Sequence, residues 1–334
     1  MKFQRYSSIE NACHQKLLNC ISLHGFSNET YVVQEKIHGA NFSFWFDGTK
    51  FRQAKRSSFV DDSFFDCAQI VFENEPKIRK AFEVLNLSPG DVLVIYGEMY
   101  GGYYNHPDVP TKSKAVQKGI SYRPDKGFYA FDLVVNGRIM SVDVANSLFE
   151  ICGIDHAVTL FEGSLQECLE YPNEFVPAIP GRLGLPSIEG NICEGVVIRP
   201  KIPLFLPSGD RVILKNKNSK WSENNPKRIR KAGSVQVCNP ADIGEELRET
   251  FEEAQDMITE NRLRNALSKI EVKDHKSFGP LLQEVYTDII EELKKGDNFE
   301  NLTFEDQGLI AKLIKTEISA FIRQRFVNIL DGGF

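Results

Sequence analysis

The chain has 334 residues, 42% hydrophobic and 26% charged, which is ordinary globular composition with length for one large domain and a smaller one. Its seven cysteines are scattered, odd in number and never in a C-x-x-C arrangement, which excludes a zinc site and fits a reduced compartment. No run approaches the roughly 18 apolar residues that span a membrane, and the N-terminus MKFQRYSSIENACHQ lacks a signal-peptide stretch, so a cytoplasmic protein without membrane association is expected.

The net charge of −6 argues on its face against a partner as acidic as nucleic acid. The average hides a division. From Arg211 to Lys231 there are eight basic residues and one acid, Glu223, whereas from Asp242 to Asp331 there are 20 acids and 12 bases. Counterion release rewards clustered charge rather than net charge, so the basic strip marks a place where a polyanion could dock.

The first strong element is a β-run from Tyr31 to Ile37, followed by His38-Gly39-Ala40-Asn41 and a second run from Phe42 to Phe46. An apolar strand that ends by pointing Lys36 toward a glycine makes this lysine a candidate nucleophile. A lysine amine attacks only when neutral, which requires desolvation or cationic neighbours. Asp47-Gly48 signals a hairpin into a third run, Lys50 to Lys55, which delivers Lys55 and Arg56 near the lysine. Helical spacing spans Ile70 to Leu85. The run Val92 to Met99 passes through Gly97 to Glu98, whose carboxylate suits ribose hydroxyls. Gly127 to Val135 presents alternating aromatics, with Phe131 placed to stack on a purine. A helix over Val144 to Ile151 follows. Glu194 then leads into Gly195 to Arg199 and offers a hard oxygen for Mg²⁺. In the run Arg211 to Asn216, continued by Lys217, Lys215 and Lys217 share one strand face and could clamp a phosphate.

Alternating β-runs with interspersed helices indicate an α+β unit with largely antiparallel sheets. Neither G-x-G-x-x-G after a first strand nor G-x-x-x-x-G-K-[ST] occurs, so a dinucleotide fold and a P-loop are unsupported. Beyond the polar stretch Ser219 to Ser234, apolar residues recur every three or four positions: Ile243 to Ile258, Phe278 to Leu293 and Leu309 to Ile322. The expected organisation is a catalytic domain over 1–222, a basic linker over 223–240 and a small helical domain over 241–334.

Each motif alone has a bland reading as a turn, a core pair or a solvated edge strand. Together and in this order they resemble the covalent nucleotidyltransferase superfamily of ATP-dependent ligases and mRNA-capping guanylyltransferases. Within it the chain is most similar to the RNA ligase 2 type, known from T-even phages and shared by the trypanosome RNA-editing ligases. The resemblance starts at Tyr6-Ser7-Ser8 and is most specific in Glu35-Lys36-Ile37-His38-Gly39-Ala40-Asn41-Phe42-Ser43 and in Lys215-Asn216-Lys217-Asn218-Ser219-Lys220. It implies an antiparallel-sheet, ATP-grasp-like nucleotidyltransferase domain followed by a small all-α domain. It also implies an RNA ligase using ATP and Mg²⁺, with Mn²⁺ as a substitute. Lys36 would carry AMP, His38 would assist departure of pyrophosphate, and Lys215 and Lys217 would hold the α-phosphate. Glu35, Ile37, Asn41, Arg56, Glu98 and Phe131 would line the nucleotide site, and the metal would be engaged by Glu194 and, through water, by Asn41. RNA would be met by Phe64, Phe65, Arg199, Lys220, Arg262 and Asp288. Arg199 stands where the family commonly has lysine. The implied substrate is nicked duplex RNA, with a monomer and no obligate protein partner. A capping-type guanylyltransferase, labelled by GTP, and a non-catalytic RNA-binding protein are the alternatives.

Overall fold

The computed structural model describes residues 1–221 and 245–334, which fall into two compact units, Met1–Trp221 and the helices within Ser222–Phe334. In chain order the first unit contains β1 (Glu10–Asn11), α1 (Gln15–Leu23), β2 (Tyr31–Glu35), β3 (Ala40–Phe46), β4 (Phe51–Lys55), β5 (Phe59–Val60), α2 (Ala68–Val84), β6 (Leu93–Gly101), β7 (Lys126–Val135), β8 (Arg138–Ile139), α3 (Val142–Cys152), β9 (Thr159–Gly163), α4 (Leu165–Leu169), α5 (Ala178–Arg182), β10 (Gly195–Pro200) and β11 (Leu214–Lys217). They form two sheets. One has the order β1-β11-β10-β2-β9 and the other β5-β4-β3-β6-β7-β8. Every pairing is antiparallel except β1 with β11. The unit is α+β, as the alternating runs indicate.

Side-chain alternation explains how β3 is covered on both faces. Phe42, Phe44 and Phe46 pack into a core with Ile70, Ile78 and Phe82 of α2 and Leu148 and Phe149 of α3. Trp45 points the other way, into a second cluster with Tyr96, Val134 and Tyr6 of the N-terminal segment. Burial of each such side chain is worth about 1.5–3 kcal/mol, and a strand covered twice reads as an unbroken apolar run. The other sheet rests on α1 and α4 through Ile21, Tyr31, Val33, Leu165, Val196 and Ile198. The β3–β4 turn uses Gly48 at φ +83°, with Asp47 Oδ1 accepting from the Thr49 and Lys50 amides.

The expected strand over Tyr31 to Ile37 stops at Glu35. The difference has a topological cause: β2 belongs to one sheet and β3 to the other, so residues 36–39 are the crossing between them. Arg211 likewise lies ahead of β11 rather than within it.

The second unit contains α6 (Glu245–Asp256), α7 (Glu260–Leu267), α8 (Phe278–Leu293), α9 (Asp297–Glu300), α10 (Phe304–Arg323) and α11 (Phe326–Leu330). Its core is built from stripes four residues apart, Leu281, Val285, Ile289 and Leu293 on α8 and Ile310, Ile314, Ile318 and Ile322 on α10. Thr303 starts α10 by accepting the Asp306 amide. The expected basic linker, Pro226 to Lys231 included, lies outside the described residues.

Candidate active site

The Lys36 backbone is fixed by its N–H donating to Gly195 O at 2.9 Å, which brings the sheet crossing beside the start of β10. Two glycines allow this close approach. A Cβ on Gly39 would lie 2.1 Å from Met99 O, and one on Gly195, at φ +144°, would lie 2.2 Å from Asn216 O.

Glu194 is the centre of the site. Its side chain is 1% exposed, with Lys36 Nζ 2.9 Å and His38 Nδ1 3.3 Å from Oε2, and Lys217 Nζ 2.8 Å from Oε1. Burial alone would raise its pKa, but the Lys217 and Lys36 ammoniums and His38 outweigh that and hold it well below the usual carboxylate range. A carboxylate can only accept, so the neighbouring His38 Nδ1 carries the hydrogen. Burial lowers the His38 pKa and keeps the ring neutral. Its amide donates to Tyr122 Oη at 3.1 Å, its ring lies 4.4 Å from the Trp221 ring, and its Nε2 is buried without a hydrogen-bond partner.

The second sheet supplies the opposite wall. Asn41 of β3 pairs across the ladder with Glu98 of β6. Desolvation pushes the Glu98 carboxyl up to about 8; Lys36 and Arg56 oppose this and Glu194 reinforces it. Arg56 follows β4 and donates through Nη2 to Ser8 Oγ at 3.3 Å. Phe131 is half-buried on β7, where a bulge between Tyr96 and Gly97 shifts the register, and its ring sits 5.1 Å from that of Tyr6. Asn41 Oδ1 is buried without a hydrogen-bond partner. Lys215 shares its strand face with Lys217 and registers against Val197. Ile37 packs with Tyr100, Tyr122, Tyr129 and Trp221. Glu35 points away from Lys36, accepts the Ala178 amide at 3.0 Å and is raised by burial to about 7.

The structure thus brings Lys36, His38, Glu194 and Lys217 together and gathers Asn41, Arg56, Glu98, Phe131 and Lys215 on the flanking strands. Several expected RNA contacts lie inside the fold. Arg199 is 2% exposed and donates to Asp132 Oδ1 (2.6 Å) and to Phe131 O (2.7 Å), which makes it an internal tie. Phe64 is core, stacked on Phe42 with 2° between the rings. Phe65 stays half-buried beside it, at φ +50°. Arg262 is buried with Nη1 2.5 Å from Asp288 Oδ2, so of that pair only Asp288 presents an accessible group. Within the basic strip Arg211 is also buried, bound to Asp132, while Lys220 is exposed beside Trp221.

Sequence reading missed Tyr6, Asp132, Tyr122, Asn218 and Trp221. Asn218 Nδ2 donates to Cys193 O at 2.6 Å and steadies the approach to Glu194. Asp132 had a signal: an acid inside the apolar run Phe128 to Val135 must be paired, because an unpaired buried charge is prohibitively costly.

The profile of the RNA ligase family matches residues 29–217, more than half of the chain and all of the strands that build this site. The chain belongs to the RNA ligase family. Residues 241–320 match the T4 RNA ligase 2 C-terminal profile, so this RNA ligase is of the RNA ligase 2 type, with an α+β unit followed in the sequence by a helical one. Among curated relatives, RNA-editing ligase 2, mitochondrial, of Trypanosoma brucei brucei is 29% identical over 319 residues, covering 80% of this chain and 76% of that one. RNA-editing ligase 1, mitochondrial, of the same organism is 32% identical over 223 residues, 53% of this chain and 46% of that one. Solved structures of Naegleria gruberi RNA ligase resemble it loosely. A mutant form with ATP and Mn is 12% identical with TM-score 0.47, covering 66% of this chain and 58% of that one. A form with PPi is 11% identical with TM-score 0.43, covering 66% and 57%. No helix among the described residues is long and apolar enough to cross a membrane.

Proposed function

We propose that this RNA ligase seals 3′-hydroxyl and 5′-phosphate RNA ends with ATP and a divalent metal ion, through AMP carried on Lys36. The observation that carries the reading is the convergence of Lys36 and Lys217 on the buried Glu194. Phosphoryl transfer of this type depends on positioning and charge neutralisation. Lys36 Nζ, as the free amine, forms a bond to the α-phosphorus while the bond to the pyrophosphate oxygen breaks. AMP then passes to an RNA 5′-phosphate, and a 3′-hydroxyl displaces it. Lys217 and Lys215 hold α-phosphate oxygens, Glu98 and Arg56 take the ribose, and Phe131 stacks on the base.

His38, neutral with Nδ1–H on Glu194, orients that carboxylate; to aid departure of pyrophosphate it must first take a proton. The residues fit a metal. Asn41 Oδ1 is a buried oxygen with no protein donor, suited to a hydrated divalent ion, and Glu194 gains room for one as the Lys36 ammonium loses its charge. When bound, the ion neutralises charge on the α-phosphate. A nicked duplex, which already holds two ends adjacent, is the proposed substrate, gripped through backbone and 2′-hydroxyls, and the protein acts as a monomer. We place it in a reducing compartment such as the cytoplasm, in keeping with seven scattered cysteines and no C-x-x-C arrangement in the sequence.

The test is intact mass after incubation with Mg²⁺ and either ATP or GTP, without RNA, beside Lys36→Ala. The expected result is a gain of one AMP from ATP alone, absent in the variant. A GMP adduct would replace the reading with a capping-type guanylyltransferase, and no adduct from either nucleotide would leave an RNA-binding protein.

A further inference from the structure

The N-terminal segment lies ahead of the matched family region, and nothing so far gives it a task. It touches the nucleotide site at two points. The Tyr6 ring lies 5.1 Å from Phe131 and 4.9 Å from Tyr96, whose hydroxyl donates to Gln4 O at 2.9 Å. The Tyr6 hydroxyl donates to Asp132 Oδ2 at 2.5 Å and accepts from Arg211 Nη1 at 3.2 Å. Asp132 also binds Arg199 and Arg211, and Arg199 in turn donates to the carbonyl of Phe131. Two residues further along the segment, Ser8 accepts from Arg56.

We propose that residues 4–8 form a strap that positions the nucleotide-binding side chains, with Tyr6 fixing the ring and backbone of Phe131 and Ser8 directing the Arg56 guanidinium. The inference rests on the reading of Phe131 and Arg56 as nucleotide contacts. Its physical basis is over-determination. Phe131 sits at a β-bulge, where the ladder leaves one residue unpaired and re-aims its side chain. The ring therefore takes its tilt from what stands behind it. Tyr6 supplies an aromatic backing and, through Asp132, a tie to the Arg199 that grips the Phe131 carbonyl. One short segment thus reaches a base contact and a ribose contact together, and its loosening weakens both. Tyr6 and Ser8 act through other side chains, so they are positioning residues.

The residue just ahead of the strap supplies a control. Phe3 packs 5.7 Å from Trp45 and 5.4 Å from Phe59 rather than on Phe131 or Arg56, so loss of its ring lowers stability without touching the nucleotide contacts. ATP binding is measured at equilibrium in the Lys36→Ala background, which has no amine to react, for Tyr6→Phe, Ser8→Ala and Phe3→Leu, with thermal melting of each. In parallel, the KM and kcat of AMP transfer to Lys36 are read by intact mass. Tyr6→Phe is expected to weaken ATP binding roughly tenfold, the loss of one hydrogen bond to a charged group, and to raise KM with kcat little changed. Ser8→Ala follows in the same direction, and Phe3→Leu lowers the melting temperature with ATP affinity retained. Affinities that follow melting temperature across all three variants, or a Tyr6→Phe protein with unaltered ATP affinity, would overturn the strap's role. Failure of the unaltered protein to acquire AMP overturns the ligase reading itself and the inference with it; that outcome is seen before any strap variant is compared.

Discussion

Replacing Asp132 with asparagine tests the most heavily bonded buried charge of the catalytic unit. Its two oxygens take Tyr6 Oη (2.5 Å), Arg199 Nη1 (2.6 Å) and Arg211 Nη1 and Nη2 (2.5 and 3.0 Å), with all three partners buried. Desolvation would raise this carboxyl, yet the Arg211 and Arg199 guanidiniums bring it from 3.8 down to about 2. That difference corresponds to about 2.5 kcal/mol of stability. Asparagine removes it and turns an amide toward two uncompensated guanidiniums, so the total loss is about 3–5 kcal/mol, or roughly 6–20 °C in melting temperature for a unit of this size. The pH dependence has a definite sign. A depressed carboxyl stabilises above its unfolded pKa and loses that contribution as pH falls toward 2. Asp132→Asn has no such contribution to lose, so the gap between the two proteins narrows by about 2 kcal/mol between pH 5 and pH 2. Urea unfolding followed by emission of Trp45, which packs in the same cluster as Tyr6, reads this directly. A loss below about 1 kcal/mol at pH 7, or a gap independent of pH, would refute the reasoning.

Gly39→Ala places a Cβ 2.1 Å from Met99 O; the expected result is a protein that melts much earlier and acquires no AMP, checked by circular dichroism and mass. Lys217→Met removes the ammonium 2.8 Å from Glu194 and leaves that carboxylate short of a counter-charge; Lys36 labelling should fall by a factor on the order of 10²–10³, measured in single turnover. Glu98, raised to about 8, contributes stability that is present below its unfolded pKa of 4.5 and is lost as pH rises through 8. Glu98→Gln should therefore lose less stability than the unaltered protein between pH 5 and pH 9 while binding ATP poorly at every pH, as followed by thermal melts and equilibrium binding.

Much of this was legible because the local signals agree. The β-runs at Phe42 to Phe46 and Gly127 to Val135, the Asp47-Gly48 turn and the period-four stripe of α8 each state their structure in their own residues. Lys36, Glu194 and Lys217 could be nominated because each is a charge at the edge of an apolar run. What a linear reading misses is which charges are consumed internally. Arg199 and Arg211 look like surface cations until Asp132 and Tyr6, 67 and 205 residues away respectively, meet them in the fold. Phe64 and Phe65 are adjacent, yet one becomes core and the other half-buried, a division set by the left-handed backbone at Phe65 and invisible in the pair itself.

Lys36 is attached to the fold by its amide as well as by its amine, and the amide bond to Gly195 O survives any replacement of the side chain. Chemistry and architecture are separable at this residue. The enzyme can be silenced there while its pocket stands, and a protein arrested in that way would hold ATP, and in turn an RNA end, at the threshold of a reaction it can no longer begin.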